Sequence, residues 1–251
     1  MNITSAKRTI VRFIREKAPN GVVIGLSGGI DSSLVAALCV EALGKDKVLG
    51  IVMPSEFSSS DDTNDAEAVA KRLDMDCKIV GIDKILAELE QALSADPKNS
   101  IALANLAPRA RMIVLYYYAN SMNRLVVGTG NRSEMLIGYF TKYGDGGVDI
   151  LPIADLYKHE VRELAKEMGI HEKIIAKPPT AGLWKGQTDE KELGTTYDEL
   201  DKILAALFDE KKSPKQVAKD LNIAIGKIEN VVAMTEKNKH KLTMPPIAKI
   251  R

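Results

Sequence analysis

An α/β fold is expected, a doubly wound parallel sheet followed by a helical C-terminal part, and three observations point to it. Short runs rich in Val, Ile and Leu alternate with stretches of helical periodicity through the first half of the chain. Those runs are apolar throughout rather than at every second residue, the signature of strands buried on both faces. From residue 197 onward only helical patterns remain. Strand–helix alternation of this kind gives parallel strands with helices on both faces, and ligands in such sheets sit beyond the carboxyl ends of the strands.

Residues 1–17 alternate charges with Ile10, Phe13 and Ile14, an amphipathic helix and not a signal peptide. Residues 22–27 read as a first strand. Residues 32–43 follow as a helix with Leu34, Val35, Leu38 and Leu43 on one stripe. A second strand over 48–53 is stopped by Pro54, a helix covers 65–73, and a third strand covers 77–80. Helices over 83–93 and 101–122 lead to a fourth strand at 124–128. The Gly-rich stretch 138–149 ends in the apolar run Ile150-Leu151-Pro152, and a helix spans 156–168. Residues 177–194 hold Pro178, Pro179, Gly182, Gly186 and Gly194, which predicts a long mobile loop. Its charges, Lys185, Asp189, Glu190 and Glu192, argue against burial. Helices over 197–208, 214–221 and 224–237 close the chain. No repeat, low-complexity tract or linker divides it, so residues 1–251 are expected to form a single domain.

Composition narrows the function. The chain has 251 residues, 45% apolar and 27% charged, with a net charge of +1, so no global basic field recruits nucleic acid. No apolar run approaches the roughly 18 residues of a membrane span. His159, His171 and His240 stand apart from one another and from Cys39 and Cys77, so no zinc-type spacing is present. Two thiols inside apolar segments suit a reducing cytoplasm.

The chemistry is concentrated after the strands. Ser27-Gly28-Gly29-Ile30-Asp31-Ser32 follows a strand and opens a helix. Its glycines let the backbone turn tightly and approach a ligand, and free N–H groups at a helix start favour an anion. It lacks the Gly-Lys-Ser/Thr ending of a Walker loop. It carries an acid instead, Asp31, and an acid beside phosphates implies a bridging divalent cation, Mg²⁺. A capped strand-to-helix turn is the bland alternative.

Residues Gly25 to Ser32 resemble the pyrophosphate loop of the N-type ATP pyrophosphatases, whose fold is Rossmann-like (adenine nucleotide alpha hydrolase-like). These enzymes adenylate a carboxylate or carbonyl oxygen and displace AMP with a nitrogen or sulfur nucleophile. A second block, Gly128-Thr129-Gly130-Asn131-Arg132-Ser133-Glu134, runs on to Phe140-Thr141-Lys142-Tyr143-Gly144-Asp145-Gly146-Gly147-Val148-Asp149. Together with Pro179-Thr180-Ala181-Gly182-Leu183-Trp184, Thr188 to Gly194 and His240-Lys241, it is similar to the NAD synthetase branch. The resemblance implies that Gly25, Leu26, Ser27, Gly28, Gly29, Ile30, Asp31, Ser32, Thr129, Lys158 and Thr180 bind ATP. It also implies Mg²⁺ on Asp31 and Glu134, and deamido-NAD on Arg109, Lys142, Asp149, His240 and Lys241. Asp31 and Lys158 would be the catalytic groups. Two departures from the family pattern stand out: Gly182, where an Asp is usual, implies a different closure of its loop, and the stretch 55–60 leaves the adenine-side contacts over 53–60 unassigned.

The implied reaction is amidation of deamido-NAD by ammonia through an acyl-adenylate, giving NAD, AMP and pyrophosphate. Nothing but one helix precedes the first strand, so the expected nitrogen donor is ammonia and not the glutamine of relatives with a fused amidase. A homodimer is expected, since 101–122 carries more large apolar and tyrosine residues than one sheet face needs. A tRNA-modifying pyrophosphatase would call for a basic surface, and a non-catalytic ATP-binding module would lack Glu134 and the 142–149 block.

Overall fold

The computed structural model describes residues 2–182, 184 and 186–250. Leu183 and Lys185, both part of the segment between residues 177 and 194, lie outside the described residues. Four parallel strands form one sheet in the order β3-β2-β1-β4. They are β1 (Val22–Gly25), β2 (Val48–Val52), β3 (Asp76–Ile79) and β4 (Leu125–Val127). Val22 stands beside both Val48 and Leu125 in register. A bridge from Val127 to Ile150 lengthens the β4 edge. The order reverses at β1, so a crevice opens where β1 and β4 end side by side.

Helices cover both faces, as the apolar runs predict. Val22, Ile24, Val48, Val52 and Val127 point into one core with Ile14 of α1 (Ile3–Lys17), Leu34 and Leu38 of α2 (Ile30–Leu43), and Val161 and Leu164 further along the chain. Val23, Leu49, Ile51 and Val126 point the other way, into a core with Ile82 and Val114. Over that face lie α4 (Asp83–Ala92) and α6 (Leu106–Ser121), while α3 (Ser60–Arg72) contributes Ala66 and Val69 to the first core. A third core joins α7 (Arg132–Ile137) to the C-terminal helices through Ile137, Tyr157, Tyr197, Leu200, Val217, Ile228 and Val231. Those helices are α11 (Tyr197–Leu204), α12 (Pro214–Leu221) and α13 (Ile225–Asn238), with a π-helical turn at Ala205–Asp209. Between them and α7 come α8 (Lys158–Glu167), α9 (Glu172–Ile175) and α10 (Asp189–Leu193).

Four expectations need correction. The helix α2 is buried on most of its circumference and not along one stripe, because it is enclosed by the sheet, α1 and α8; Ala36, Ala37 and Ala42 let those elements approach. The helix expected over 101–122 is two helices, α5 (Ser100–Ala104) and α6. Pro108 has no N–H for the carbonyl four residues back, so the helix restarts with Pro108 in its first turn, where that loss is tolerated. Cys77 is only half-buried, because β3 is the exposed edge of the sheet; Cys39 is fully buried, and both thiols are free. The acidic loop segment is not all solvated. Asp189 is 4% exposed; it opens α10 and accepts hydrogen bonds from the hydroxyls of Tyr139 at 3.3 Å and Tyr197 at 3.1 Å. Among the described residues no helix is long and apolar enough to cross a membrane.

Candidate functional site

The crevice at the reversal point is a cleft of about 640 Å³. Its floor is the turn after β1. Gly28 holds φ +75, and a Cβ there would lie 2.2 Å from the Asp62 carbonyl oxygen, so only glycine lets the turn rest on α3. The N-terminus of α2 has no side-chain cap, which leaves its first N–H groups for a ligand or water. The loop's own hydroxyls knit the turn. Ser27 Oγ lies 3.0 Å from Ser32 Oγ and accepts from Gly29 N–H at 3.2 Å, and Ser33 donates to the Gly29 carbonyl at 2.7 Å.

From the second motif, Asn131 caps α7. Its side chain accepts from Glu134 N–H at 3.0 Å, and the Glu134 carboxylate accepts from Asn131 N–H at 3.2 Å. This reciprocal capping fixes the Glu134 side chain at the strand end. The Asn131 amide also donates to Asp31 Oδ1 at 3.0 Å, tying the two motifs together. Between the two acids lies the ammonium of Lys158, 2.5 Å from Asp31 Oδ2 and 3.5 Å from Glu134 Oε1. Lys158 is 2% exposed. It begins α8, where a cation opposes the helix dipole, and the two carboxylates offset both that and its desolvation. Burial pushes the ammonium's pKa down, but Asp31 and Glu134 outweigh it and hold the group charged. Burial pushes the Glu134 carboxyl well up, Lys158 pulls it back, and Asp31 adds to the rise.

Behind Lys158 the Tyr197 ring lies 5.1 Å from the ammonium. Asp201, 2% exposed, receives the Ser133 hydroxyl and the His159 N–H, while Ser133 Oγ accepts from Lys158 N–H at 3.0 Å. A buried carboxylate thus fixes the start of α8 and with it the root of Lys158.

The cleft also takes in Thr129, Thr180 and Lys241, and of the ATP-loop residues all but Gly28. Lys241 donates to the carbonyls of Gly138 and Phe140 at 2.7 and 2.8 Å. Arg109, Lys142, Asp149 and His240 do not line it. Arg109 donates to the Lys142 carbonyl at 3.4 Å and Lys142 to the His240 carbonyl at 2.7 Å, forming one surface patch beside the cleft. Asp149 accepts from Tyr116 at 3.0 Å and from Val126 N–H at 2.7 Å on the β4 edge. Of the two arginines in Pro108-Arg109-Ala110-Arg111, the sequence favours Arg109, but Arg111 is the one that lines the cleft, and it donates to the Met53 carbonyl at 3.1 Å. The signal was Pro108, which sets the phase of α6. Sequence reasoning gave no role to Asn131, Lys177, Asp189 and Tyr197, whose links to Asp31, to the phosphate loop and to Lys158 join parts of the chain that are remote in sequence.

A doubly wound parallel sheet, a Ser-Gly-Gly-x-Asp-Ser turn after its first strand and a paired acid after the strand beside it together define the ATP-pyrophosphatase class of Rossmann-like proteins. Within that class the chain belongs to the NAD synthase family, whose model matches residues 2–245. It is 48% identical over 236 residues to an NH(3)-dependent NAD(+) synthetase from Pyrococcus horikoshii, covering 94% of this chain and 91% of that one. The fold superposes on an NMN synthetase from Francisella tularensis with a TM-score of 0.88 at 31% identity, covering both chains completely. It also superposes on an NH3-dependent NAD synthetase from Campylobacter jejuni, with a TM-score of 0.83 at 34% identity over 99% of this chain and 100% of that one.

Proposed function

We propose that this chain amidates the nicotinate carboxylate of deamido-NAD with ammonia, consuming ATP and releasing NAD, AMP and pyrophosphate. The observation that carries the reading is the Lys158 ammonium buried between Asp31 and Glu134 at the point where β1 and β4 end. A fixed cation of this kind, with oriented N–H groups opposite, suits a leaving pyrophosphate.

The chemistry follows from the residues. A carboxylate is a poor electrophile, so its oxygen first attacks the α-phosphorus of ATP and the bond to the β-phosphate oxygen breaks. The N–H groups of the phosphate loop and Lys158 take up the charge on the departing pyrophosphate. Ammonia then attacks the acyl carbon, AMP leaves with the electron pair, and the nitrogen sheds a proton to give the amide. Asp31 and Glu134 offer the hard oxygen donors that Mg²⁺ accepts, and both lie against the Lys158 ammonium. Among the described residues no three such ligands cluster, so they would hold the ion together with phosphate oxygens. Bound there, the metal supplies charge neutralisation on the phosphates.

Ammonia is the direct nitrogen donor in this reading. Burial pushes the Cys39 thiol up to about 12, and Cys77 is raised by burial and Glu67, so neither is a ready nucleophile for glutamine. Residues 1–251 work as one unit, since the N-terminal phosphate loop and Lys241 meet in the same cleft. Free thiols suit a reducing cytoplasm, and two copies are expected to assemble across α6. The test is NAD formation from deamido-NAD, ATP and ammonium, with glutamine in place of ammonium as the control. Absence of deamido-NAD-dependent AMP release would refute the reading.

A further inference from the structure

Lys177 opens the crossing that runs from α9 over the cleft to α10, and the reaction above gives it no task. Its ammonium is 2.6 Å from Asp65 Oδ2 and 2.8 Å from Asp62 Oδ1, and it donates to the carbonyl oxygen of Gly28 at 3.2 Å. An ammonium has three N–H donors, and these three acceptors use them all. Asp62 and Asp65 are one turn apart on α3, on the face that meets the phosphate loop.

The third bond has a geometric consequence. A trans peptide is planar, so a carbonyl and the N–H of the following residue point in opposite directions. Drawing the Gly28 carbonyl towards Lys177 turns the Gly29 N–H the other way, towards Ser27 Oγ, which accepts from it at 3.2 Å and lines the cleft with Gly29. A peptide between two glycines is free to turn over, since neither residue has a Cβ to resist it. Ser27 Oγ holds the N–H end of that peptide from within the loop, and Lys177 holds its carbonyl end from outside.

We propose that Lys177 is a positioning residue that clamps the Gly28–Gly29 peptide, so that the Gly29 N–H stays on the cleft side of the loop beside Ser27 Oγ, from which the pyrophosphate of the bound nucleotide takes it over. Asp62 and Asp65 hold the clamp, and because Lys177 begins the crossing, seating that crossing and ordering the phosphate loop become one event. This rests on the reading of the loop as an ATP site.

The test uses the full chain, titrated calorimetrically with ATP and with inorganic pyrophosphate in the presence of Mg²⁺, and assayed for KM and kcat. Lys177→Met is expected to weaken pyrophosphate binding and raise the KM for ATP about tenfold, the loss of one oriented donor, with a smaller change in kcat. Lys177→Arg is expected to restore most of the binding. The Asp62→Asn/Asp65→Asn double variant separates two readings of Lys177. A clamp on Gly28 is loosened when its anchors go, so binding weakens in the same direction. A lysine that touches phosphate directly is released by the same change, and binding holds or tightens. That second result, or a Lys177→Met variant with lowered Tm but wild-type affinity for pyrophosphate, overturns the proposal. Should Lys177→Met fail to fold, the double variant still decides. A wild-type chain that binds neither ATP nor pyrophosphate overturns the ATP reading itself, a different outcome from wild-type binding that the variants leave unaltered.

Discussion

Lys158 begins a helix at the end least favourable to a cation, is almost fully enclosed, and is held there by carboxylates from two different strand ends. Removing either acid leaves a buried charge short of a partner and would take away a proposed ligand for Mg²⁺. Asp31→Asn and Glu134→Gln are each expected to lower turnover at least ~100-fold with the fold intact, as loss of a metal-bound charge does. Near-wild-type kcat in either variant at saturating Mg²⁺ would sink the metal assignment. A second prediction concerns Asp65, whose carboxyl is held below its usual range by hydrogen bonds from Lys173 and Lys177. A depressed folded pKa stabilises above the unfolded value of about 3.9 and loses that contribution as pH falls through the folded value. The Tm gap between wild type and Asp65→Asn is therefore expected to be constant at pH 5–7 and to close on acidification below about pH 4. A gap that persists unchanged in strong acid would exclude the ion pairs as its cause. Asp31 and Glu134 are legible because each stands in a strand-end motif, and Thr129 and Lys158 because the family resemblance carries over to them. Tyr197 and Asp189 escaped because their link to Lys158 exists only once α11 and α10 pack beside α7 and α8.

Among the elements, the strands were legible for a physical reason: β1 and β2 are buried on both faces and read as unbroken apolar runs. The edge strand β3 has little such signal, and its boundary shifted by a residue. The short α10 has no periodicity to detect, and its burial depends on two tyrosines from elsewhere. The crossing between Lys177 and α10 lies over the cleft, with Pro179, Thr180 and Trp184 among the lining residues. Lys177 secures its first end and Asp189 its last. Between them Gly182 and Gly186 adopt left-handed conformations, φ +62 and +78, and a Cβ at either would meet nothing within 4 Å. A segment fixed at both ends, with open space around two glycine turns between them, is suited to open and close at those turns. Hydrogen exchange across 177–194 is expected to slow when ATP and deamido-NAD are both present, because closure keeps water from the acyl-adenylate. Equal exchange with and without ligands would rule out a lid. Loosening the crossing by Asp189→Asn should release more AMP than NAD; a ratio still at one, with turnover unchanged, would count against water exclusion.

At the scale of the whole molecule, the residues assigned to deamido-NAD fall in three places, of which only one lines the cleft. Lys241 lines the cleft, whereas Arg109, Lys142 and His240 form a patch beside it and Asp149 lies on the β4 edge. Helix α6 runs between those places. Arg109, Ile113, Tyr116, Tyr117 and Asn120 share one of its faces by helical spacing, and Ile113 and Tyr117 are 56% and 68% exposed. Tyr143, next to Lys142, is 55% exposed as well. An apolar stripe flanked by cations and open to water is unusual on a monomer. A second copy laid across α6 would cover it by two-fold symmetry, each α6 meeting the other, and would bring the surface patch of one chain towards the cleft of its partner. The expected assembly is a homodimer burying upward of ~2,000 Å² in total, as obligate interfaces do. Sedimentation at micromolar concentration is the direct measurement. Ile113→Glu combined with Tyr117→Glu should shift the chain to monomer and raise the KM for deamido-NAD more than that for ATP, because the phosphate loop lies within one chain. A wild-type monomer with full activity would refute the dimer. A monomeric variant with an unchanged KM for deamido-NAD would show instead that Arg109, Lys142 and His240 serve something other than the substrate.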